Sequence, residues 1–197
     1  MSALDRTIRD VSRTLLDLLK NELGTTSIAL ASPKNAGTNL LTLFLYRVVE
    51  NPDLKNAEPP AVPVFGGRLE QPLPPLTLDL HYLLTAHATD QLQAHEALGR
   101  AMRVFFEHGV LRGSLLRSDS PTTGLTSDSL LRLTLNPTTT EEMSRIWGVF
   151  ADTPYAISVA YLVTPVPIQS ERLLSTAPVL EQVHEYGQIV REAEVGA

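Results

Sequence analysis

The sequence contains no cysteine, and this absence removes several kinds of chemistry at once. Disulfides, thiolate metal sites and a cysteine nucleophile are all excluded, which fits a chain kept in a reducing compartment. No run of apolar residues approaches the ~18 that a membrane-spanning helix needs. Asp5, Arg6 and Arg9 interrupt any apolar run at the N-terminus, where a secretion signal would need one. We therefore expect assembly in the cytoplasm.

An excess of basic charge is also missing. The formal net charge is -6, which argues against nucleic acid or an anionic membrane as the main partner. The chain has 197 residues, of which 43% are hydrophobic, so it can bury the core of one domain.

Motifs for metals and cofactors are absent as well. The five histidines do not fall at ligand spacing, since no two lie three or four residues apart. Phe65-Gly66-Gly67 has neither the lysine nor the spacing of a phosphate-binding loop. His95 lies on the predicted inner face of its helix, where a buried, hydrogen-bonded histidine is more common than a ligand. We expect no metal and no cofactor.

Asp79 and His81 come nearest to a catalytic pair. They are two apart on one face of a predicted strand, where a carboxylate can orient an imidazole. Ser158 is the conceivable nucleophile, but it lies inside a regular predicted strand and no Gly-x-Ser-x-Gly elbow is present. We favour a polar pair at a sheet surface and a protein that is not an enzyme. A small hydrolase using Asp79 and His81 is kept as an alternative.

The strongest pattern is a strand over 74–86 that leads into a helix over 90–108. In the strand, leucines and a tyrosine alternate with polar residues, which is typical of an antiparallel sheet with one face on a core. Asp90 is the expected N-cap of the helix, and Gly99 is expected to allow close approach to the sheet. The predicted inner face of the helix consists of Leu92, His95, Leu98, Met102, Phe105 and Phe106.

The remaining patterns complete a mixed α/β (α+β) fold. Helices are predicted over 3–23 and 139–150, the latter begun by a capping box of Thr139 and Glu142. Further strands are predicted over 26–32, 39–50, 130–135 and 155–163. We expect a mainly antiparallel sheet of four or five strands, with the three helices packed on one face and the strand edges free for neighbours.

Two segments look suited to contacts. Seven of the 14 prolines lie in 51–75, which predicts a long, semi-extended loop inserted in a single domain of residues 1–165. Residues 166–197 are predicted to be an extended arm, which could add a strand to a neighbour or be a frayed terminus. The interface residues that we propose from these segments are Leu54, Phe65, Arg68, Leu69, Val166, Ile168, Leu173 and Val179.

The chain also resembles a family long catalogued as a domain of unknown function, the cap proteins of contractile injection systems of the antifeeding-prophage type. The stretches that carry the resemblance are Leu78-Asp79-Leu80-His81-Tyr82-Leu83-Leu84-Thr85-Ala86, Ala94-His95-x-x-Leu98-Gly99-Arg100-Ala101-Met102, residues 39–51, residues 133–147 and residues 153–161. Together they span roughly residues 10 to 170.

The resemblance implies a tail-terminator-like fold and a structural role. The implied protein is a homohexameric ring on the distal end of the inner tube, with the tube and sheath proteins as partners and a particle that can leave the cell. Sheath subunits of such particles link through exchanged strands. Some related cap proteins carry additional C-terminal domains, whereas this chain ends soon after its predicted core. A peptide-binding adaptor of the same fold remains the other alternative.

Overall fold

The structure is a computed structural model that describes residues 6–55, 62–64, 68–112, 116, 125, 129–170 and 172–176, with the backbone alone for 62–64, 68–72 and 173–176. The helices are α1 (Thr7–Leu23), α2 (Gln91–Glu107) and α3 (Thr140–Gly148). The strands are β1 (Ile28–Leu30), β2 (Leu41–Glu50), β3 (Val62–Val64), β4 (Arg68–Pro72), β5 (Leu76–Ala86), β6 (Val110–Arg112), β7 (Leu130–Leu135), β8 (Ser158–Ile168) and β9 (Leu173–Thr176).

The main sheet has six strands in the order β1-β2-β5-β8-β7-β6. Its neighbours pair antiparallel except β1 and β2, which are parallel. The predicted α+β class with a mainly antiparallel sheet is therefore confirmed, and the long strand at its centre is β5. The sheet exceeds the predicted four or five strands because β6, three residues long, lies in a segment without the alternation that marks a strand.

The main core lies between one face of this sheet and helices α1 and α2. Helix α1 buries an apolar seam, with Val11, Leu15 and Leu19 fully covered. Alternate residues of β5, among them Leu80 and Tyr82, point toward these helices. The burial of this seam explains why a 17-residue helix is stable here, since packing of an apolar face contributes more than intrinsic helix propensity.

Helix α2 buries Leu98 and Phe105 as predicted, but the rest of its buried face differs from the predicted one. Its buried residues are Ala94, Ala97, Leu98, Ala101, Val104 and Phe105. Leu92, His95 and Phe106 are exposed, so their assignment to the inner face is wrong. The predicted close approach at Gly99 is also wrong, because a Cβ there would meet nothing within 4 Å. The buried face thus combines three alanines with larger side chains, while Leu92 and Phe106 point outward.

Helix α3 covers the opposite face of the main sheet, although all three helices had been expected on one face. The rings of Phe44 and Phe150 meet edge to face at 5.6 Å, and Trp147 packs on Phe150 at 5.8 Å. Leu83, the apolar residue that interrupts the polar face of β5, is fully buried. The predicted capping box of Thr139 and Glu142 begins this helix. A second, smaller apolar cluster thus forms on the face expected to be free.

Strand β8 continues past residue 163, where the predicted strand ends. It runs to Ile168 through Pro165 and Pro167, and the Thr164–Pro165 peptide is cis. Pairing with β7 stops at Thr164, whereas pairing with β5 continues to Ile168. The prolines therefore lie where the strand has one neighbour in the main sheet, and a missing amide hydrogen costs no ladder bond on the open side.

A second, smaller sheet joins the two segments predicted to be irregular. Its order is β3-β4-β9, with antiparallel pairing throughout. Instead of a structureless connection, segment 51–75 contains β3 and β4. The strand of the predicted arm pairs within its own chain, since Leu69 of β4 lies opposite Thr176 of β9. We call β3, β4 and β9 the small sheet. The division into a domain of residues 1–165 and an arm of residues 166–197 stays a prediction.

Candidate functional site

Three polar side chains tie the beginning of the small-sheet segment to the main sheet. Asn51 donates from Nδ2 to Asp79 Oδ1 at 2.9 Å and to Thr164 Oγ1 at 3.2 Å. The Thr164 hydroxyl also donates to Asp79 Oδ1. We call Asn51, Asp79 and Thr164 the anchor cluster. It links the end of β2 to β5 and β8, which are far apart in sequence.

Asn51 also shapes the turn that follows it. Its Oδ1 accepts from the amides of Asp53 at 3.0 Å and Leu54 at 3.1 Å, which is an Asx-type turn. Its own amide donates to the carbonyl of Thr77 at 2.8 Å. The side chain therefore uses both its donor and its acceptor, and the chain leaves β2 in a fixed direction.

A register shift explains why Asp79 is available for this role. The pairing of β5 with β8 shifts between Leu78 and Leu80, so Asp79 has no partner residue on β8 there. The pairing of β4 with β9 continues one step beyond the two strands, because the amide of Leu73 donates to the carbonyl of Arg172 at 3.2 Å.

The predicted interface residues fall in three groups. Leu54 is 39% exposed in the turn that Asn51 fixes. Arg68 and Leu69 lie in β4, and Leu173 lies opposite Pro72 in β9. These four positions belong to the small sheet or lead into it. Their role at an interface stays a prediction.

The other predicted interface residues are placed differently. Val166 is buried in the main core with no exposed surface, and Ile168 packs partly buried against that core. Both side chains therefore support the sheet. Phe65 and Val179 lie outside the described residues, so their predicted role keeps its basis in the sequence alone.

The proposed catalytic residues do not form a catalytic arrangement. The Asp79 carboxylate is engaged by Asn51 and Thr164, and the partner of His81 Nδ1 is Asn136 Nδ2 at 3.4 Å. Ser158 lies opposite Thr85 of β5. Thr85 is four residues from His81, so Ser158 and His81 are separated by about 13 Å along the strand. The Ser158 hydroxyl bonds Thr85 Oγ1 at 2.9 Å.

His81 lines a groove of about 560 Å³ between α3 and the main sheet. Apolar side chains such as Phe44 and Ile146 line this groove together with Arg47. Burial and the neighbouring Arg47 lower the pKa of His81, while Asp79 acts in the opposite direction. An uncharged imidazole that accepts from an amide is a satisfied structural group and needs no ligand to explain it.

Two further polar side chains, His87 and Tyr82, also have hydrogen-bond partners within the fold. His87 Nε2 pairs with Thr42 Oγ1 at 2.8 Å, and burial lowers the pKa of His87. Tyr82 Oη pairs with Ser12 Oγ at 2.7 Å, and burial raises the pKa of Tyr82 to about 12. Across the described part of the chain, no group of three or more His, Cys, Asp or Glu could hold a metal ion. None of the helices in that part is long and apolar enough to cross a membrane.

The architecture is that of terminator proteins from contractile particles. One solved structure with this fold is the sheath/tube terminator of PVC, an extracellular contractile injection system, in the extended state. The TM-score is 0.60 at 19% identity, covering 95% of this chain and 65% of that chain. Another is the cap that terminates the tube of the anti-feeding prophage. There the TM-score is 0.55 at 16% identity, covering 89% of this chain and 60% of that chain.

The chain belongs to the Pvc16 N-terminal domain family, whose sequence profile matches residues 10–182. No curated protein matches the chain. The resemblance to cap proteins of contractile injection systems is thus confirmed by the family and by both structures. The chain spans about 65% and 60% of the two terminators it matches.

The anchor cluster was missed by the sequence reasoning. An asparagine directly before a proline-rich segment is a turn signal, and Asn51 carried that signal. Its contacts with Asp79 and Thr164, 28 and 113 residues away, have no local signature. The inner face of α2 did have a local signature in the sequence, because Ala94, Ala97 and Ala101 recur at helical spacing.

Proposed function

We propose that the protein is a structural cap of a contractile injection particle. It forms a homohexameric ring on the distal end of the inner tube, stops tube growth and anchors the end of the sheath. The observation that carries the proposal is membership of the Pvc16 N-terminal domain family, together with the fold shared with a sheath/tube terminator and a tube-terminating cap.

The mechanism is one of surface complementarity. Tube subunits that stack head to tail use a heterologous interface, which extends without limit unless something closes it. A cap ends growth when one of its faces matches the tube end and the other does not match a further subunit. No bond needs to be made or broken, and the engaged state of Asp79 and His81 supports a protein that is not an enzyme.

The small sheet is the surface that we assign to assembly contacts. Among the strands that the structure describes, β4 is paired on both sides, so the edges of this sheet belong to β3 and β9. Strand β3 contains Pro63, which lacks an amide hydrogen, and β9 contains no proline. An added strand would therefore pair with β9, and the sheath is the partner we propose for it, by β-augmentation.

A reconstituted tube tests tube capping, and the part that the turn after Asn51 plays in it. Purified cap is added in small amounts to polymerising tube protein, and tube lengths are measured by negative-stain electron microscopy. The unchanged protein should shorten the tubes, and Leu54→Asp should lose this effect because it places a charge in the turn that Asn51 fixes. The matched control is Leu30→Asp, 42% exposed in β1, which should cap normally. Equal capping by Leu54→Asp would remove this turn from the interface.

The edge position of β9 also suits a peptide-binding adaptor, which is the second candidate. The adaptor would be monomeric and would leave tube lengths unchanged in the same assay. Native mass spectrometry separates the two, since the cap should give a homohexamer in the presence of tube ends.

A further inference from the structure

The outer face of α2 exposes two large apolar side chains, one near each end of the helix. Phe106 is 87% exposed and Leu92 is 76% exposed, which is unusual for large apolar side chains on a charged helix. We call the row that they belong to the outer stripe, and it consists of Leu92, His95, Gly99, Met102 and Phe106. Within the described chain, nothing packs over Gly99.

The spacing of the outer stripe suits a second helix. Leu92, Gly99 and Phe106 are seven residues apart, so they stay on one line of the helix with a drift of about 20° per step. The line is about 21 Å long at 1.5 Å per residue. Glycine in the middle of a helix is unfavourable unless it allows another backbone to approach, and the described part of its own chain provides no such approach.

The outer stripe is also complementary to itself. Leu92 and Phe106 lie at equal distances on either side of Gly99. A two-fold axis through Gly99 would therefore set Leu92 of each copy against Phe106 of the other, with two glycines where the helices cross. We propose that α2 docks antiparallel on α2 of a second copy of this chain, with Gly99 at the two-fold axis.

The charges beside the outer stripe support a second copy over a strongly charged partner. Glu96 pairs with Arg100 at 2.7 Å, and Glu107 lies 3.8 Å from Arg103. The helix surface beside the outer stripe thus carries acidic and basic side chains in equal number. In the two-fold arrangement, Glu96 of one copy comes beside Arg103 of the other, so opposite charges meet across the contact.

The pair is reversible and distinct from the proposed ring. One helix pair buries less than the ~1,200 Å² of a stable interface, so association is weak and depends on concentration. The contact is isologous, whereas neighbours in a ring use two different patches. An experiment can therefore find the ring without this helix contact, or this helix contact without the ring.

The absence of cysteine makes a direct test possible. Gly99→Cys introduces a thiol at the two-fold axis, where the Cβ has open space in its own chain. Mild oxidation of the concentrated protein should give a disulfide-linked dimer. The control is Gln93→Cys, which is exposed on the same helix outside the outer stripe and should stay unlinked. Equal amounts of linked dimer from the two variants would overturn the proposal.

Sedimentation velocity gives an independent readout. The sedimentation coefficient of the unchanged protein should rise with concentration, and Phe106→Ser should suppress the rise. Val149→Ser is the matched control, because Val149 is 78% exposed on the other side of the sheet and should leave the rise intact. A rise unaffected by Phe106→Ser, or no rise in the unchanged protein, would contradict the pairing of these helices.

Discussion

Replacing Asn51 by alanine tests whether the anchor cluster holds the small sheet in place. The substitution removes one hydrogen bond to the Asp79 carboxylate, one to Thr164 and two from the amides of the following turn. A bond to a charged group contributes about 1.5–3 kcal/mol and a neutral one about 0.5–1.5 kcal/mol. Because Asn51 is half-buried, water replaces part of the lost hydrogen bonding. We therefore expect the free energy of unfolding to fall by about 2 kcal/mol.

Chemical denaturation measures this loss, and thermal unfolding should show a fall in the melting temperature of roughly 4–8 °C, since ~1 kcal/mol shifts a domain of this size by about 2–4 °C.

Asn51→Asp is the sharper variant. It keeps the acceptor of the turn but places a second carboxylate against Asp79, so it should lose more stability than Asn51→Ala at neutral pH and recover part of the loss in acid. The exposed Asn21 of α1 is the control, and Asn21→Ala should not destabilise. A loss below about 0.5 kcal/mol for Asn51→Ala would refute the anchoring role, since surface substitutions fall in that range.

Three further predictions concern stability. Gly99→Ala should raise the free energy of unfolding by about 0.5–1 kcal/mol in dilute protein, because the position is helical and open; a loss of stability would mean that Gly99 is packed. Burial lowers the pKa of His81 and His87 below the ordinary value of 6.5, so the folded state resists protonation and stability should fall as pH drops below about 6.5; unfolding curves that coincide at pH 7.5 and 5.5 would contradict this. Thr139→Ala removes the capping box with Glu142 and should cost about 1 kcal/mol in chemical denaturation, whereas no change would show that the helix start is held by packing alone.

The parts of the fold that follow local periodicity could be predicted. The strand at the centre of the main sheet alternates apolar and polar residues from Leu76 to Tyr82, and this alternation follows from which side chains face the core. Helix α1 likewise has its apolar residues on one face. The capping box at Thr139 follows from two residues three apart.

The orientation of α2 could not be read from residue size. The larger apolar residues were placed inside, whereas the helix packs through Ala94, Ala97 and Ala101 and exposes Leu92 and Phe106. The general rule that apolar residues are buried does not distinguish two apolar faces of one helix. Which face of the helix is buried depends on the distance between helix and sheet, and that distance is a property of the assembled fold.

The small sheet depends on pairing between distant segments. Strand β9 meets β4 across about 100 residues of sequence, and neither strand has a clear alternating pattern. Strand β8 also runs beyond its predicted end through Pro165 and Pro167, because proline is tolerated where no neighbouring strand needs its amide hydrogen. The candidate site therefore emerged from tertiary pairing, and four of the positions predicted from irregularity, Leu54, Arg68, Leu69 and Leu173, lie in or next to it.

The most direct test of the cap role is the length of the particle in cells that make it with and without this protein. Electron microscopy of released particles gives the distribution of tube lengths in both cases. Without the protein we expect tubes that are overlong and ragged, or particles that are missing, and re-expression should restore a single length. Particles of unchanged number and length in its absence would contradict the cap role.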